Sequence, residues 1–200
     1  MHFVSKSAIP LRELKRMETA HRITVCAQRL TEERGLDGFT MDELAEAAEV
    51  SRRTLFNYFP SKIDAILGAV PELPEESIDA FRAGGPHGNL LEDLAELART
   101  ALAVKQADRV TIEQGRRVLA QEPRVLAAAH QRFELITMRF TDLVLEREGS
   151  GFDPDRAALA LRLLNAVLDH SLGTLVDDDN GRMLAEVFDA QLRIARDLLS

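Results

Sequence analysis

Two hundred residues, 46% of them apolar and 29% charged, suffice for one ordinary domain or two small ones with a buried core. No uninterrupted apolar run approaches the roughly 20 residues of a bilayer crossing, and residues 1–8 carry no apolar leader, so the expectation is a cytoplasmic protein with no membrane partner. The single cysteine, Cys26, excludes an internal disulfide and a cysteine-rich zinc site; the net charge of −8 speaks against nucleic acid only until it is located, because the first 66 residues balance ten Lys+Arg against ten Asp+Glu.

Strand patterning is almost absent and helical periodicity runs nearly throughout, so the fold class expected is all-α. A first helix is expected over 11–34, with Leu14, Met17, Ile23, Ala27 and Leu30 as its apolar stripe and Gly35 ending it. Thr40 and Glu43 form a capping box before a short helix at 41–48, and Ser51 caps another at 52–58, closed by Pro60. A fourth helix, opened by Ser61 and Asp64, is expected to reach the vicinity of Pro71. Six Pro and Gly residues then crowd 71–88, the best candidate for a domain boundary, with a short helical turn at 77–82. Further helices are expected at 89–105, 108–120, 123–147, 154–176 and 180–199, two of them with proline at their first position.

The segment 38–62 carries the function. Two short capped helices joined by a tight turn, with Leu44, Ala45, Ala48, Val50 and Leu55 inward, make a helix-turn-helix; small Ala45 and Ala48 let the second helix cross the first closely. The outward residues of that second helix, Arg52, Arg53, Thr54, Asn57 and Tyr58, all carry hydrogen-bond donors, which suits a nucleic-acid groove. Arg52, Arg53 and Asn57 are the candidate base readers, since Arg bonds guanine O6 and N7 bidentately and Asn suits adenine.

The pattern Arg22, Ala27, Gly35, Gly38-Phe39-Thr40, Leu44-Ala45, Val50-Ser51, Thr54-Leu55, Tyr58-Phe59, Ser61-Lys62 resembles the TetR family of bacterial transcription regulators. The resemblance implies a three-helix DNA-binding domain over 1–60, with an N-terminal arm over 1–10, a connecting helix and linker over 61–88, and a helical effector-binding and dimerisation domain over 89–200; Lys6, Arg12, Lys15, Arg16 and Arg22 form either a basic arm or an unspecific tail. It implies a repressor that binds a pseudo-palindromic double-stranded operator as a homodimer and leaves it when a small effector binds. Thr40, Thr54, Tyr58 and Lys62 resemble the family's phosphate contacts. Two departures stand out: Glu49 occupies a turn position usually held by Gly, and Phe56 replaces a usual Tyr. A helical interaction module with a degenerate helix-turn-helix is the competing reading.

The helix at 154–176 is apolar on more than one side, so part of it is expected to face a partner; with the last helix it forms the dimer interface that the resemblance implies, through Leu164, Leu168, Leu184 and Phe188. Phe133, Ile136, Thr137 and Phe140 recur at helical spacing; His130, Phe133, Phe140 and Asn165 are the candidate contacts for a largely apolar effector. The fourth helix, which follows the recognition helix directly, is the expected lever between effector and DNA. No Gly-rich phosphate loop, H-E-x-x-H or G-x-S-x-G occurs, and neither an enzyme, a cofactor nor a metal site is expected.

Overall fold

A computed structural model describes residues 11–104, 109–177 and 181–199, and the described chain is helical with no strand. The helices are α1 (Leu11–Arg34), α2 (Met41–Ala47), α3 (Arg52–Tyr58), α4 (Lys62–Leu67), α5 (Glu75–Arg82), α6 (Leu90–Val104), α7 (Arg109–Gln121), α8 (Pro123–Glu148), α9 (Pro154–Asp177) and α10 (Leu184–Leu199). Contacts divide the chain into two compact units: one of residues up to Ala69 together with Arg117–Val125, the other of Val70–Arg116 with residues from Leu126 on. The division thus falls just before the Pro- and Gly-rich stretch, and a short piece of α7 and α8 belongs to the first unit.

In the first unit, α1 packs on α2 and α4, and α2 on α3. Ile23, Ala27, Leu44, Ala48, Leu55 and Ala65 are fully buried in one cluster, which Val118 and Val125 of the later segment complete. Burying such aliphatic side chains contributes about 1.5–3 kcal/mol for each of the larger ones, so the unit rests on this cluster rather than on its short helices' own propensity. Each short helix has a working N-cap: the Thr40, Ser51 and Ser61 side chains accept from the amides of Glu43, Thr54 and Asp64.

One expectation needs correcting here. Helix α4 ends at Leu67, three residues short of Val70, because Gly68 takes a φ of 73° and lies against α1, where an added Cβ would stand 3.2 Å from Thr24 Oγ1. The expected lever is therefore a six-residue helix fastened to α1, with Gln28 Nε2 donating to the Ile66 carbonyl at 3.1 Å.

In the second unit, α9 packs on α10 and α6, and α5 on α6. Phe81, Leu94, Leu97, Leu143, Val144 and Leu161 form one cluster and Leu175, Leu184 and Val187 another. Helix α9 is long and apolar enough to cross a membrane by length and composition alone. In this fold it buries Ala157, Ala160, Leu161, Ser171 and Leu175 against its neighbours. Ion pairs tie α6 to α10, with Arg99 Nε 2.6 Å from Asp189 and Arg196 2.5 Å from Glu92.

Candidate nucleic-acid interface

Helix α3 has a buried side and an open one. Leu55 is fully buried and Phe59 nearly so, while Arg52, Arg53, Phe56 and Asn57 are exposed and Thr54 and Tyr58 half-buried. Its direction is set by the turn before it, where Ala48 N–H donates to Leu44, Val50 N–H donates to Ala45 and Glu49 holds φ at 52°. A non-glycine residue in that conformation costs on the order of 1 kcal/mol. The turn keeps its shape because Ala45 and Ala48 bury no bulk between the helices and the amides on both sides are bonded.

The predicted base readers lie together on the open face, in two states of readiness. Arg53 and Asn57 make no hydrogen bond or ion pair among the described residues, so their donors are free for a ligand. Arg52 is engaged: its guanidinium pairs with Asp42 on α2 at 3.1 Å and lies 5.6 Å from the centre of the Phe56 ring. Both charged side chains are more than half exposed, so the pair is worth about 0–1 kcal/mol and releases Arg52 at little cost. Asp42 is a participant that sequence reasoning missed. The ten-residue separation carries no helical periodicity, and only the crossing of α2 and α3 joins the two groups.

Among the predicted phosphate contacts, Thr40 sits at the exposed N-terminus of α2 and is built into the capping box. Glu43 N–H donates to its hydroxyl at 3.2 Å and its own N–H donates to Glu43 Oε2 at 2.8 Å. Those bonds from Thr40 hold the Glu43 carboxyl below its ordinary range. Thr54 shares a 2.7 Å hydroxyl contact with Ser51, and the Tyr58 ring stands 6.5 Å from that of Phe59. Lys62 points inward: its ammonium donates to the carbonyls of Leu36 at 2.6 Å and Phe39 at 2.8 Å.

The segment Arg117–Val125 braces the same unit. Arg117 reaches Glu32 on α1 at 2.5 Å, Arg124 reaches Asp37 at 2.6 Å, and Leu36 N–H donates to Glu122 at 3.0 Å. The bond from Arg124 also lowers the pKa of the Asp37 carboxyl. No local signal marks these residues, since their partners lie more than 80 positions away. The expected basic arm begins outside the described residues, Lys6 among them; Arg12, Lys15, Arg16 and Arg22 line exposed positions of α1. Cys26 is buried and its thiol donates to the Ala47 carbonyl at 3.3 Å, a packing role.

Residues 23–70, the segment that contains this helix-turn-helix, match the sequence profile of bacterial regulatory proteins of the tetR family. That segment is a tetR-type helix-turn-helix domain. Two curated relatives are each 26% identical: a nucleoid occlusion factor SlmA from Pasteurella multocida, over 74% of this chain and 77% of that one, and the HTH-type transcriptional regulator TcmR from Streptomyces glaucescens, over 72% and 67%. A solved TetR-family regulator from Mesorhizobium loti superposes with a TM-score of 0.47 at 19% identity, over 94% of this chain and 98% of that one. A segment of this kind marks the chain as a DNA-binding transcriptional regulator, with α3 as the candidate recognition helix.

The candidate effector residues lie in the second unit. Phe133, Phe140 and Asn165 are half-buried and His130 is exposed. Thr137, between the two phenylalanines, is buried and its hydroxyl has no hydrogen-bond partner. A cleft of about 230 Å³ lies elsewhere, between α5, the 83–88 segment and α6, lined by Glu76, Phe81, Pro86, Asp93, Glu96 and Leu97, and none of the four candidates borders it. Among the described residues no three His, Cys, Asp or Glu side chains stand close enough to hold a metal ion.

The dimer candidates divide. Leu164 and Leu168 are half-buried on α9, but Leu184 and Phe188 are spent in the core of one chain, Phe188 with no exposed surface, and so have nothing left to offer a partner. Apolar periodicity on α10 records the face that meets α9 and α6. On these two helices the large apolar side chains that remain exposed are Leu159 and Leu163 on α9 and Ile194 and Leu198 on α10.

Proposed function

We propose that the protein is a cytoplasmic repressor that binds a pseudo-palindromic operator as a homodimer and leaves it when a small, largely apolar effector binds. The observation that carries the DNA half is the open face of α3, where Arg53 and Asn57 are unengaged, Arg52 is held only by an exposed ion pair, and two capped helix N-termini flank the same surface. In this reading Arg52, Arg53 and Asn57 bond base edges in the major groove, and Thr40, Thr54 and Tyr58 bond phosphates. Tyr58 supplies the hydroxyl that Phe56 lacks. Two short recognition helices related by symmetry are needed because each reads only a few base pairs.

The effector half is supported by the α8 stripe. Phe133, Ile136 and Phe140 offer apolar surface around the unpartnered Thr137 hydroxyl, and Asn165 supplies a polar group on α9. A ligand with one acceptor and an apolar body would satisfy that hydroxyl.

Footprinting on the DNA that flanks the gene, followed by titration at several salt concentrations, tests the reading. Arg52→Ala or Arg53→Ala is expected to cost about 1–3 kcal/mol and to relax sequence preference, and wild-type affinity to fall steeply with salt. Binding indifferent to salt, or unaltered in the double variant, would refute it.

A further inference from the structure

Lys62 opens α4, immediately beyond the recognition helix, yet its charge is directed back at the loop between α1 and α2. That loop, 35–39, is tightly folded. Gly35 takes a φ of 73°, and at Gly38 an added Cβ would stand 2.0 Å from the Arg34 carbonyl oxygen. Leu36 and Phe39 are anchored in the core, so their carbonyls cannot swing freely to water. Both accept from the Lys62 ammonium, which also stands 4.9 Å from the centre of the Phe39 ring. The peptide group joining Phe39 to Thr40 is thereby held at both ends: its oxygen by Lys62 and its N–H by Glu43, the capping-box partner of α2. A continuous line of bonds runs from the first residue of α4 to the first turn of α2.

We propose that Lys62 is a positioning residue for DNA reading, which fixes the loop that places Thr40 and thereby clamps α2 and α3 at both ends. The inference rests on the DNA-binding reading above. Two of the three ammonium protons are committed to carbonyls. The Asp37 and Glu43 carboxyls are lowered chiefly by the Arg124 and Thr40 bonds, and the lysine's charge adds a minor pull on both from inside the unit. A lysine kept for phosphate alone needs neither arrangement. The loop is braced from its other side by Glu122, on the Leu36 amide, and by Arg124, on Asp37. Lys62 is the brace that comes from the helix next to α3.

The experiment compares wild type, Lys62→Gln and Lys62→Arg on two probes, a duplex from the DNA flanking the gene and a random-sequence duplex of equal length, with hydrogen exchange of the free proteins. Positioning predicts that Lys62→Gln loses tenfold or more on the flanking duplex and less than twofold on the random one, with the salt slope unchanged and amide protection lost over 36–40. Lys62→Arg, which keeps the charge, should not restore the discrimination. Equal losses on both probes, a slope smaller by about one per subunit and full rescue by Arg would mean a phosphate contact and overturn the proposal. Failure of wild type to bind either duplex would sink the DNA-binding reading instead, while exchange would still report on the clamp. If neither variant folds, the wild-type Lys62 ammonium resonance decides: unmoved by the flanking duplex it supports positioning, and shifted by both duplexes alike it overturns it.

Discussion

Glu49, at the turn between α2 and α3, is the one described non-glycine residue with positive φ. Its side chain is exposed and meets no partner that would compensate the strain, so the turn is held by neighbouring backbone bonds alone. Glu49→Gly should therefore stabilise the protein by about 0.5–1 kcal/mol, the relief at φ > 0 being partly offset by the greater freedom of glycine in the unfolded chain. Urea denaturation checks this; a lower midpoint would mean that the Glu49 side chain contributes something the structure does not display. The exposed place of Arg52 near the start of α3 was legible in the sequence. Its resting partner Asp42 was not, because a salt bridge between crossing helices leaves no spacing in the sequence.

At the scale of elements, capping chemistry was readable residue by residue. The Thr40 box is present in both directions, and Ser51 and Ser61 cap as their positions imply. The second unit holds a different kind of joint. Arg147 at the end of α8 and Asp93 in α6 pair at 2.6 Å with their side chains 5% and 0% exposed, and the guanidinium lies 4.7 Å from the Phe81 ring centre. Burial pushes the Asp93 carboxyl up, but the His87 N–H and the Arg147 guanidinium outweigh it and hold the group below its ordinary value. Asp93→Asn would take from a buried guanidinium, one nitrogen of which already lacks an acceptor, its fully buried counter-charge, and leave it only the more exposed Glu148 carboxylate 2.9 Å from Nε. A loss of about 3–5 kcal/mol is expected. The sign with pH follows. Above the ordinary carboxylate range the stabilisation is complete; as pH falls the unfolded chain takes up its proton first, and the contribution is gone once the depressed folded value is passed. Urea midpoints from pH 7 to pH 3 should thus fall less steeply in Asp93→Asn than in wild type.

For the whole molecule, the proposed pseudo-palindromic operator calls for a dimer, and burial leaves part of α9 open to make it. Leu159 and Leu163 are exposed on α9, at 57% and 42%, and an introduced charge there meets water in the monomer but an apolar interface in a dimer. Leu159→Glu with Leu163→Glu should therefore dissociate the dimer in sedimentation while changing the monomer's stability by less than about 0.5 kcal/mol. Phe188→Glu should unfold the second unit, because that side chain is enclosed within one chain. A folded monomer from Phe188→Glu would contradict the assignment.

Helix type, the caps and the open face of α3 follow from periodicity and side-chain chemistry acting over a few residues, which is why they could be read from residues 11–62 and from the long helices beyond. The early end of α4 could not, because it depends on Gly68 meeting Thr24 on a different helix. Nor could the inward turn of Lys62, the share that Arg117–Val125 takes in the first unit, or the enclosure of Phe188. Each depends on which surfaces far apart along the chain exclude water from one another. An apolar stripe has the same spacing whether it meets a neighbouring helix or a second subunit, and a lysine has the same charge whether it faces phosphate or two buried carbonyls; only packing distinguishes them.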